Sequence, residues 1–535
     1  MRVLFASSEI YPLAKTGGLA DVSAALPKAL TALGVEMQLL LPGYPRALLS
    51  ATNQSVAIEF ADFMGAGPMR LISARMPDTA LPVWLIDCPS LFRRSGGPYQ
   101  DANGQDWPDN ALRFAVFGHV AARLALGLML PDWRADIVHA NDWHAGLLPA
   151  ILATTPGQRP ATVFTIHNLA YQGLFPANLY PQLGLPDGCF TPDGLEFHGQ
   201  ISFLKAGIRY SDRLTTVSPT YAREILTAEY GCGLEGLLQH RAEDLTGILN
   251  GADYQIWDPA IDDNLPAKFN LRNMAGKPVC KMALQHELGL DADLGAPLFV
   301  FMNRITEQKM ADAVADVLPR IVESGAQCAL LGDGDRQLEE RFEAAARANP
   351  GRIAVRIGYE EPFSHRAVAG GDILLHPARY EPCGLTQLYA MRYGTLPVVR
   401  RTGGLCDTVV DADDGSIRQG TATGFAFTSA DTDDFLRCIE RALALYRQPL
   451  MWRKVQLQAM AQDFGWSESA RRYLALYREL APQSVAVPES PAWKVDRFNP
   501  ASAHQPPGSP KRGVRVAEPS RRDRRPFEEV EDSPA

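Results

Sequence analysis

Short apolar runs alternate along the chain with longer stretches in which apolar residues recur every three or four positions. The run at 3–6 predicts a buried strand, and the stretch from Leu19 to Leu33 predicts an amphipathic helix with a kink at Pro27. Further strands are predicted in the first half at 37–42, 137–140, 162–166 and 213–217. The last three lead into polar residues, as strands do when their carboxyl ends face a binding site.

The same alternation restarts in the second half of the chain. Strands are predicted there at 297–302, 327–332, 353–357, 373–376 and 396–399, with helical patterns between them. This order predicts an α/β protein with two doubly wound, Rossmann-like parallel sheets. Because ligands bind beyond the carboxyl ends of such strands, two facing domains would enclose one central cleft.

We expect four segments along the chain. They are a first Rossmann-like domain at 1–250, a second at 251–455, a C-terminal helix at 456–481 that packs back on the first domain, and a tail at 482–535. The tail is rich in Pro and Ser, lacks apolar patterning and contains a basic cluster at 511–525. We interpret it as disordered, with an anion-binding arm as the alternative.

Composition narrows the class of protein. A chain of 535 residues is too long for one core, and 46% hydrophobic with 21% charged residues is typical of a soluble globular protein. The net charge of -9 argues against nucleic acid or an anionic membrane as the main partner. The 8 cysteines form no Cys-x-x-Cys pair, which argues against zinc and fits a reducing cytosol. Since the sequence also shows no signal peptide and no long apolar span, we expect a cytoplasmic protein.

The phrase Thr-Gly-Gly-Leu-x-Asp occurs twice, at 16–21 and at 402–407. Paired glycines let the backbone approach a ligand, and a helix that starts there offers free N–H groups to phosphate or sugar oxygens. One copy in each half of the chain predicts a phosphate-bearing substrate bound between the domains. The alternative is that a common tight-turn sequence recurs by chance. Lys15 precedes the first copy, where it either balances a diphosphate or is an ordinary solvated lysine.

Several polar residues follow predicted strands of the first half. His139, Asp142 and His144 would lie near the cleft. The two histidines suggest a metal, but their spacing is poor for one helical face and no carboxylate cluster accompanies them, so we favour a metal-free site. His167 follows the next strand and either donates to a sugar or leaving group or caps its loop.

In the second half, Arg304 and Lys309 bracket the loop that follows a predicted strand. Two cations there make a plausible diphosphate clamp, with a solvated pair as the alternative. Glu381 stands just before a Gly-Leu-Thr helix start. The helix start would hold phosphate while the carboxylate faces the adjacent sugar, although acidic residues also cap helices.

Seven short sequence motifs occur in the same order as in a known protein family. They lie at 15–22, 139–146, 167–173, 196–207, 217–222, 380–389 and 400–405. Across 1–480 the sequence resembles bacterial glycogen synthase, also called starch synthase, a hexosyltransferase that moves glucose from ADP-glucose to the non-reducing end of an α-1,4-glucan in glycogen biosynthesis. The resemblance implies the GT-B fold, retention of the α configuration, and neither a metal nor another cofactor. It also implies that the first domain binds the acceptor and the second binds the nucleotide sugar.

The same resemblance assigns donor-binding residues position by position. Lys15 and Gly18 would contact the donor diphosphate or its glucose, and Arg304 and Lys309 would hold the phosphates. Tyr359 would stack on adenine. Further contacts to the phosphates would come from the N–H groups of Gly384, Leu385 and Thr386.

Catalytic residues are assigned in the same way. Glu381 would bind the glucosyl unit and support positive charge at its anomeric carbon, while His167 and Asp142 would position the donor sugar and the acceptor. Two positions depart from related transferases. Tyr389 stands where many carry a second glutamate, and Met310 stands where a glycine is usual, so the loop beside Lys309 is expected to differ.

Other functions remain open at this stage. A transferase of the same fold with UDP-glucose as donor, or with a small acceptor, fits most of the motifs. A catalytically weak glucan-binding protein is a second alternative, against which the intact Lys15, Arg304, Lys309 and Glu381 argue. A nucleotide-sugar epimerase and a phosphorylase with a lysine-bound cofactor fit less well.

Overall fold

Two β-sheets organise the chain, one in each half, in the computed structural model. The structure describes residues 1–358, 360–481 and 485–487, and Met1–Glu489 form one compact unit that contains both sheets. The strands of the first half are β1 (Arg2–Ala6), β2 (Glu36–Pro42), β3 (Thr52–Phe60), β4 (Met69–Arg75), β5 (Pro82–Asp87), β6 (Ile137–Asn141), β7 (Gly157–Arg159), β8 (Ala161–Ile166), β9 (Leu174–Pro176), β10 (Glu196–Phe197), β11 (Gln200–Ser202), β12 (Arg213–Thr216) and β13 (Leu245–Gly247).

Helices fill the connections between these strands. They are α1 (Gly18–Ala32), α2 (Pro45–Ser50), α3 (Pro89–Phe92), α4 (Asn110–Ala125), α5 (Leu147–Thr154), α6 (Phe203–Tyr210), α7 (Pro219–Glu224) and α8 (Glu235–His240). The helix predicted from Leu19 is α1, which runs through Pro27. Leu19, Val22, Leu26 and Leu30 all lie on its buried side, as their spacing requires.

The first sheet has nine strands in the order β13-β12-β8-β6-β1-β2-β5-β4-β3. It is parallel from β13 to β5, but β4 runs antiparallel to both β5 and β3. The expectation of a wholly parallel sheet is therefore wrong at this edge. A parallel connection needs a crossover of about a dozen residues or more, and the segments 61–68 and 76–81 are too short to supply one.

The second sheet is parallel throughout, in the order β16-β15-β14-β17-β18-β19. Its strands are β14 (Leu298–Met302), β15 (Gln327–Gly332), β16 (Ile353–Ile357), β17 (Ile373–His376), β18 (Leu396–Arg400) and β19 (Phe425–Phe427). Its helices are α9 (Gly276–Leu288), α10 (Ala311–Glu323), α11 (Arg336–Ala348), α12 (Glu361–Gly370), α13 (Thr386–Arg392), α14 (Gly403–Thr408), α15 (Asp414–Gln419), α16 (Thr432–Tyr446) and α17 (Pro449–Met460). Both sheets are doubly wound, as predicted.

A last helix, α18 (Trp466–Leu480), follows the second sheet in sequence but packs against α1 of the first half. Its aromatic residues Tyr473 and Tyr477 belong to the core of the first sheet. The chain leaves that core at Ile248 and enters the core of the second half at Ala252. The second half thus contributes one helix to the stability of the first.

The tail predicted at 482–535 lies outside the described residues, apart from the strand β20 (Val485–Val487). This strand pairs antiparallel with β7, with Val485 opposite Arg159. For these three residues the structure departs from the expected disorder. No helix within the described ranges is both long and apolar enough to cross a membrane.

Candidate functional site

The strand register brings the predicted polar loops of the first half to one edge of the sheet. Ala6 pairs with Ala140, and Asn141 pairs with Thr165, so β1, β6 and β8 end side by side. The second half meets this edge directly. A Cβ atom added at Gly18 would lie 3.9 Å from Leu385 Cδ1, which places the start of α1 opposite the start of α13.

The first glycine loop, 15–18, is open on its outer side. Thr16 and Gly17 are exposed, and a Cβ at Gly17 would meet nothing within 4 Å. Lys15 Nζ lies 2.8 Å from Asp21 Oδ1 and 3.9 Å from Glu361 Oε2, a carboxylate of the second half. An anion that entered here would meet an ammonium group and a helix start, which agrees with the predicted phosphate role.

The second glycine loop, 402–404, is closed. Gly403 has φ +42°, and a Cβ there would lie 1.9 Å from the carbonyl oxygen of Glu381. Its N–H group donates to Glu224 at 3.0 Å, and the N–H of Gly404 donates to the Glu381 carbonyl. The prediction that this copy binds phosphate is therefore wrong, because its N–H groups are already bonded and its glycines let the chain pack beneath Glu381.

Glu381 lies at the centre of a buried charged cluster. It forms an ion pair with Lys309 and accepts a hydrogen bond from His376 Nε2 at 3.2 Å, and it is 6% exposed. Burial would raise the pKa of Glu381, but the Lys309 ammonium and His376 outweigh it and hold that pKa at about 2. Burial also lowers the pKa of His376. The cluster therefore holds an ionised carboxylate between a cation and a neutral imidazole.

His376 is a site residue that the sequence analysis missed. It is the last residue of β17, a strand that was predicted with its boundaries correct. The sequence therefore indicated this residue, since a polar residue at the carboxyl end of a parallel strand lies at the edge of the sheet where ligands bind. What sequence could not show is that the loop after β17 folds Glu381 back onto this histidine.

The loop before α10 carries the two predicted cations. Lys309 is buried, whereas Arg304 is exposed and its Nη1 donates to Tyr171 of the first half at 3.2 Å. Met310 follows Lys309 with φ 52° and ψ 36°, the left-handed conformation that glycine favours. The loop therefore keeps a glycine-like turn even though the residue is methionine.

The segment 384–386 begins α13. Gly384 has φ +73°, and the N–H groups of Gly384, Leu385 and Thr386 have no acceptor among the described residues. Free N–H groups at a helix start favour an anionic oxygen. Because this start faces Gly18, the predicted phosphate contacts from the two halves lie across one cleft.

Asp142 occupies a strained backbone conformation at the end of β6. Its φ of 59° and ψ of -179° fall in a region that is almost confined to glycine. Among the described residues its carboxylate accepts from the Trp143 N–H alone, at 3.0 Å, and burial raises the pKa of Asp142 to about 8. At neutral pH the group is therefore largely protonated and can donate a hydrogen bond.

The predicted histidines have different surroundings. His139 is fully buried, with Nδ1 2.6 Å from Tyr477 and Nε2 2.6 Å from Thr165, so neither nitrogen is left for a ligand. His144 is also buried, but neither of its ring nitrogens has a hydrogen-bond partner in the part of the chain that the structure describes. The two do not form a shared metal site.

His167 lies at the cleft after β8, as predicted. Its Nε2 lies 3.0 Å from Asn141 Oδ1, which fixes the ring orientation. Burial lowers the pKa of His167 to about 3, so the ring is neutral at pH 7. The remaining predicted residue, Tyr359, lies outside the described residues.

Comparison with known families gives two matches in chain order. The family of the starch synthase catalytic domain matches residues 2–240. The family glycosyl transferases group 1 matches residues 289–455. The first range contains the loop of Lys15 and the loops after β6 and β8, and the second contains Lys309 and Glu381.

Whole proteins and solved structures agree with these matches. The chain is 53% identical over 482 residues to a glycogen synthase of Paramagnetospirillum magneticum, which covers 90% of this chain and 98% of that protein. It is 52% identical over 483 residues to a glycogen synthase of Burkholderia thailandensis, and the alignment covers 90% of this chain and 91% of that protein. The catalytic domain of starch synthase IV from Arabidopsis thaliana, bound to ADP and acarbose, is 31% identical with a TM-score of 0.81 and covers 90% of this chain and 99% of that one. A sucrose-phosphate synthase from Thermosynechococcus elongatus shares the fold, at 16% identity and a TM-score of 0.54.

Proposed function

The chain belongs to the glycogen synthase family of glucosyltransferases, and on that premise we propose that it transfers glucose from ADP-glucose to the non-reducing end of an α-1,4-glucan with retention of configuration. The observation that carries the proposal is the ionised Glu381, paired with Lys309 next to the free N–H groups that start α13. This is the arrangement needed at a sugar–phosphate bond, where positive and negative charge develop side by side.

Departure of the diphosphate would be stabilised from both halves. Lys15 and the start of α1 approach from the first half, and Arg304, Lys309 and the start of α13 approach from the second. Donors that are already aimed at developing negative charge lower the barrier because little reorganisation is needed during the reaction. Carboxylates of Asp21 and Glu361 lie next to Lys15, at 2.8 and 3.9 Å.

Glu381 would act on the sugar rather than on a proton. Its low pKa keeps it negative at neutral pH, so it supports positive charge at the anomeric carbon. The position eight residues later is Tyr389, which cannot serve as a second carboxylate. We infer a same-face attack in which the leaving diphosphate oxygen accepts the proton of the acceptor hydroxyl.

His167 and Asp142 would hold the sugars on the first half. His167 offers a neutral ring nitrogen, and a protonated Asp142 would donate to a glucosyl or glucan hydroxyl. The Arabidopsis starch synthase domain is bound to ADP and acarbose, which supports a nucleotide and an oligosaccharide as ligands of this chain. The proposal requires no metal and no other cofactor, and it assigns the reaction to the cytoplasm.

The test is incorporation of labelled glucose into glycogen, with ADP-glucose and UDP-glucose compared in parallel and with EDTA present. We expect faster incorporation from ADP-glucose, undiminished by EDTA. Preference for UDP-glucose would keep the fold and change the donor, and loss of activity with EDTA would contradict the metal-free mechanism. No incorporation from either donor would contradict transfer to glucan and favour a small acceptor or a glucan-binding role.

A further inference from the structure

Glu9 lies directly beneath the first glycine loop and is 3% exposed. One carboxylate oxygen, Oε2, accepts hydrogen bonds from the N–H groups of Thr16 and Gly17, the latter at 3.1 Å. The other, Oε1, accepts from the hydroxyl of Tyr99 at 2.5 Å. One buried side chain therefore ties together two segments that are distant in sequence.

These bonds decide which N–H groups of the loop remain for a ligand. Those of Thr16 and Gly17 are bonded to Glu9, whereas those of Gly18 and Leu19 have no acceptor within the described ranges. Gly17 is exposed and has no neighbour on its Cβ side, so side-chain packing does not fix the turn. The Glu9 carboxylate bonds two successive N–H groups of the turn, beside the Ala20 N–H that donates to the Gly17 carbonyl at 3.3 Å and the Lys15–Asp21 ion pair.

Tyr99 extends the connection toward the acceptor side. Its hydroxyl also lies 2.8 Å from Ser8 Oγ, and its ring stacks on His144 with centroids 4.3 Å apart and planes inclined by 20°. His144 belongs to the loop of Asp142, which we assign to the acceptor side. The donor loop and the acceptor loop are thus linked through two side chains, Glu9 and Tyr99.

We propose that Glu9 is a positioning residue that fixes the donor loop so that Lys15 and the free N–H groups of α1 face the diphosphate, and that Tyr99 couples this loop to the acceptor side. The inference rests on the proposed transfer from a nucleoside diphosphate sugar. A related contact occurs at the second glycine loop, where the Glu224 carboxylate accepts from the hydroxyl of Thr402 and the N–H of Gly403. At that loop, however, the N–H of Gly404 is also bonded, to the Glu381 carbonyl.

The experiment compares Glu9→Ala with Glu9→Gln, measuring KM for ADP-glucose, kcat, and the Kd for ADP by calorimetry. Without this acceptor the N–H groups of Thr16 and Gly17 lose their partner and the loop is no longer fixed, so we expect Glu9→Ala to raise both KM and the Kd for ADP about 10- to 100-fold. A change in kcat of less than about threefold should accompany it, because the groups beside the reacting bond remain. Glu9→Gln should recover most of the loss, since its amide oxygen accepts from the loop and its amide nitrogen donates to Tyr99.

A matched control is Asp212→Asn, which neutralises a carboxylate just before the amino end of β12, whereas the glycine loop follows the carboxyl end of β1. In the sheet, β8 and β6 lie between these two strands. Asp212 accepts from Arg159 at 2.7 Å and from the N–H of Thr162 at 2.7 Å. We expect this variant to melt at a lower temperature with KM and the Kd for ADP unchanged.

The outcomes separate this inference from the proposed function. If Glu9→Gln and Glu9→Ala leave the Kd for ADP and the KM unchanged while the melting temperature falls, as in the control, Glu9 is only structural and the inference is overturned. If the wild-type chain transfers no glucose, the proposed function fails, yet the Kd for ADP still tests Glu9. Should Glu9→Ala not fold, Tyr99→Phe tests the same link by removing the hydroxyl that donates to Glu9. We expect a smaller rise in KM and in the Kd for ADP, and unchanged values would overturn the inference.

Discussion

Met310 combines an unfavourable backbone conformation with a fully buried side chain. It follows Lys309 in the left-handed region and contributes to the core of the second half. A left-handed residue other than glycine costs about 1–2 kcal/mol, whereas burial of a methionine stabilises by about 2–5 kcal/mol relative to alanine. Packing should therefore outweigh strain, which explains how methionine holds a position that suits glycine.

We expect the free energy of unfolding to fall in the order wild type, Met310→Gly, Met310→Ala. Glycine loses the packing but relieves the backbone, so it should be more stable than alanine by about 1 kcal/mol. Urea unfolding of the three proteins measures this order. A Met310→Gly protein more stable than wild type would show that strain dominates.

Burial of Asp142 should make the free energy of unfolding fall as the pH rises. Its pKa rises from 3.8 to about 8 on folding, so the native state binds the proton more tightly than the unfolded state. This contribution to stability is present at low pH and is lost as pH rises toward 8. Between about pH 5 and 7 the wild type should lose about 3 kcal/mol relative to Asp142→Asn.

Urea unfolding of both proteins at several pH values tests this expectation. Titration of native Glu381 does not contribute to this difference, because its pKa of about 2 leaves the carboxylate ionised from pH 5 to pH 7. A constant difference between Asp142→Asn and wild type from pH 5 to 7 would mean that Asp142 is ionised in the native state.

At the scale of elements, α7 and α14 cap each other across the two halves. The carboxylate of Asp407, on α14, accepts from the N–H of Thr220 at 2.8 Å and from its hydroxyl at 2.7 Å. The carboxylate of Glu224, on α7, accepts from the N–H of Gly403 at 3.0 Å. Each short helix thus supplies a carboxylate to the start of the other, and at α7 this bond adds to the cap that Ser218 provides. These bonds fix the loop beneath Glu381 against the first half.

We expect Asp407→Ala to lower the free energy of unfolding by about 1–2 kcal/mol and also to lower kcat, since the loop of Glu381 loses its support. Asp413→Ala is a suitable control, because Asp413 caps α15 within the second half through Ser416 at 2.7 Å. Asp413→Ala should also lower the free energy of unfolding, but it should leave kcat unchanged. Equal effects on kcat from both variants would contradict a specific role for the α7–α14 contact.

The sequence predicted elements that a short stretch of residues specifies by its own apolar pattern. Strands at 327–332, 353–357 and 373–376 have the predicted boundaries, because a buried parallel strand is a continuous apolar run. The strands β3, β4 and β5 were missed. The exposed edge strand β3 has a weak apolar pattern, whereas β4 and β5 are largely buried and their apolar residues were not recognised as strands. The two copies of the glycine phrase were assigned one role, and only tertiary packing shows that Glu224 closes the second.

At the scale of the whole molecule, the second half both completes the site and supports the first half. Lys15 meets Glu361 across the cleft, and Tyr477 of α18 bonds to His139 behind it. These contacts lie between segments more than three hundred residues apart, beyond the reach of local patterns. The resemblance to a family supplied the roles of Lys309 and Glu381, whereas their ion pair is visible only in the structure.

Removal of residues 490–535 should leave transfer unchanged. The assigned site residues lie within 1–481, and the relatives align over about 480 residues that cover 90% of this chain. The measurement is kcat and KM for ADP-glucose and glycogen with the full and the shortened chain. A loss of about tenfold or more in kcat/KM would show that the segment takes part in the reaction.

The most direct test of the account is the rate of glucose transfer from ADP-glucose to glycogen by Glu381→Gln, measured beside wild type together with the Kd for ADP. The change keeps the shape of the side chain but removes the negative charge beside the reacting carbon. We expect kcat to fall by about 100-fold or more while ADP still binds, because Lys309 and the N–H groups of α13 remain. A rate within about threefold of wild type, with ADP binding retained, would contradict the central role of the Glu381 carboxylate.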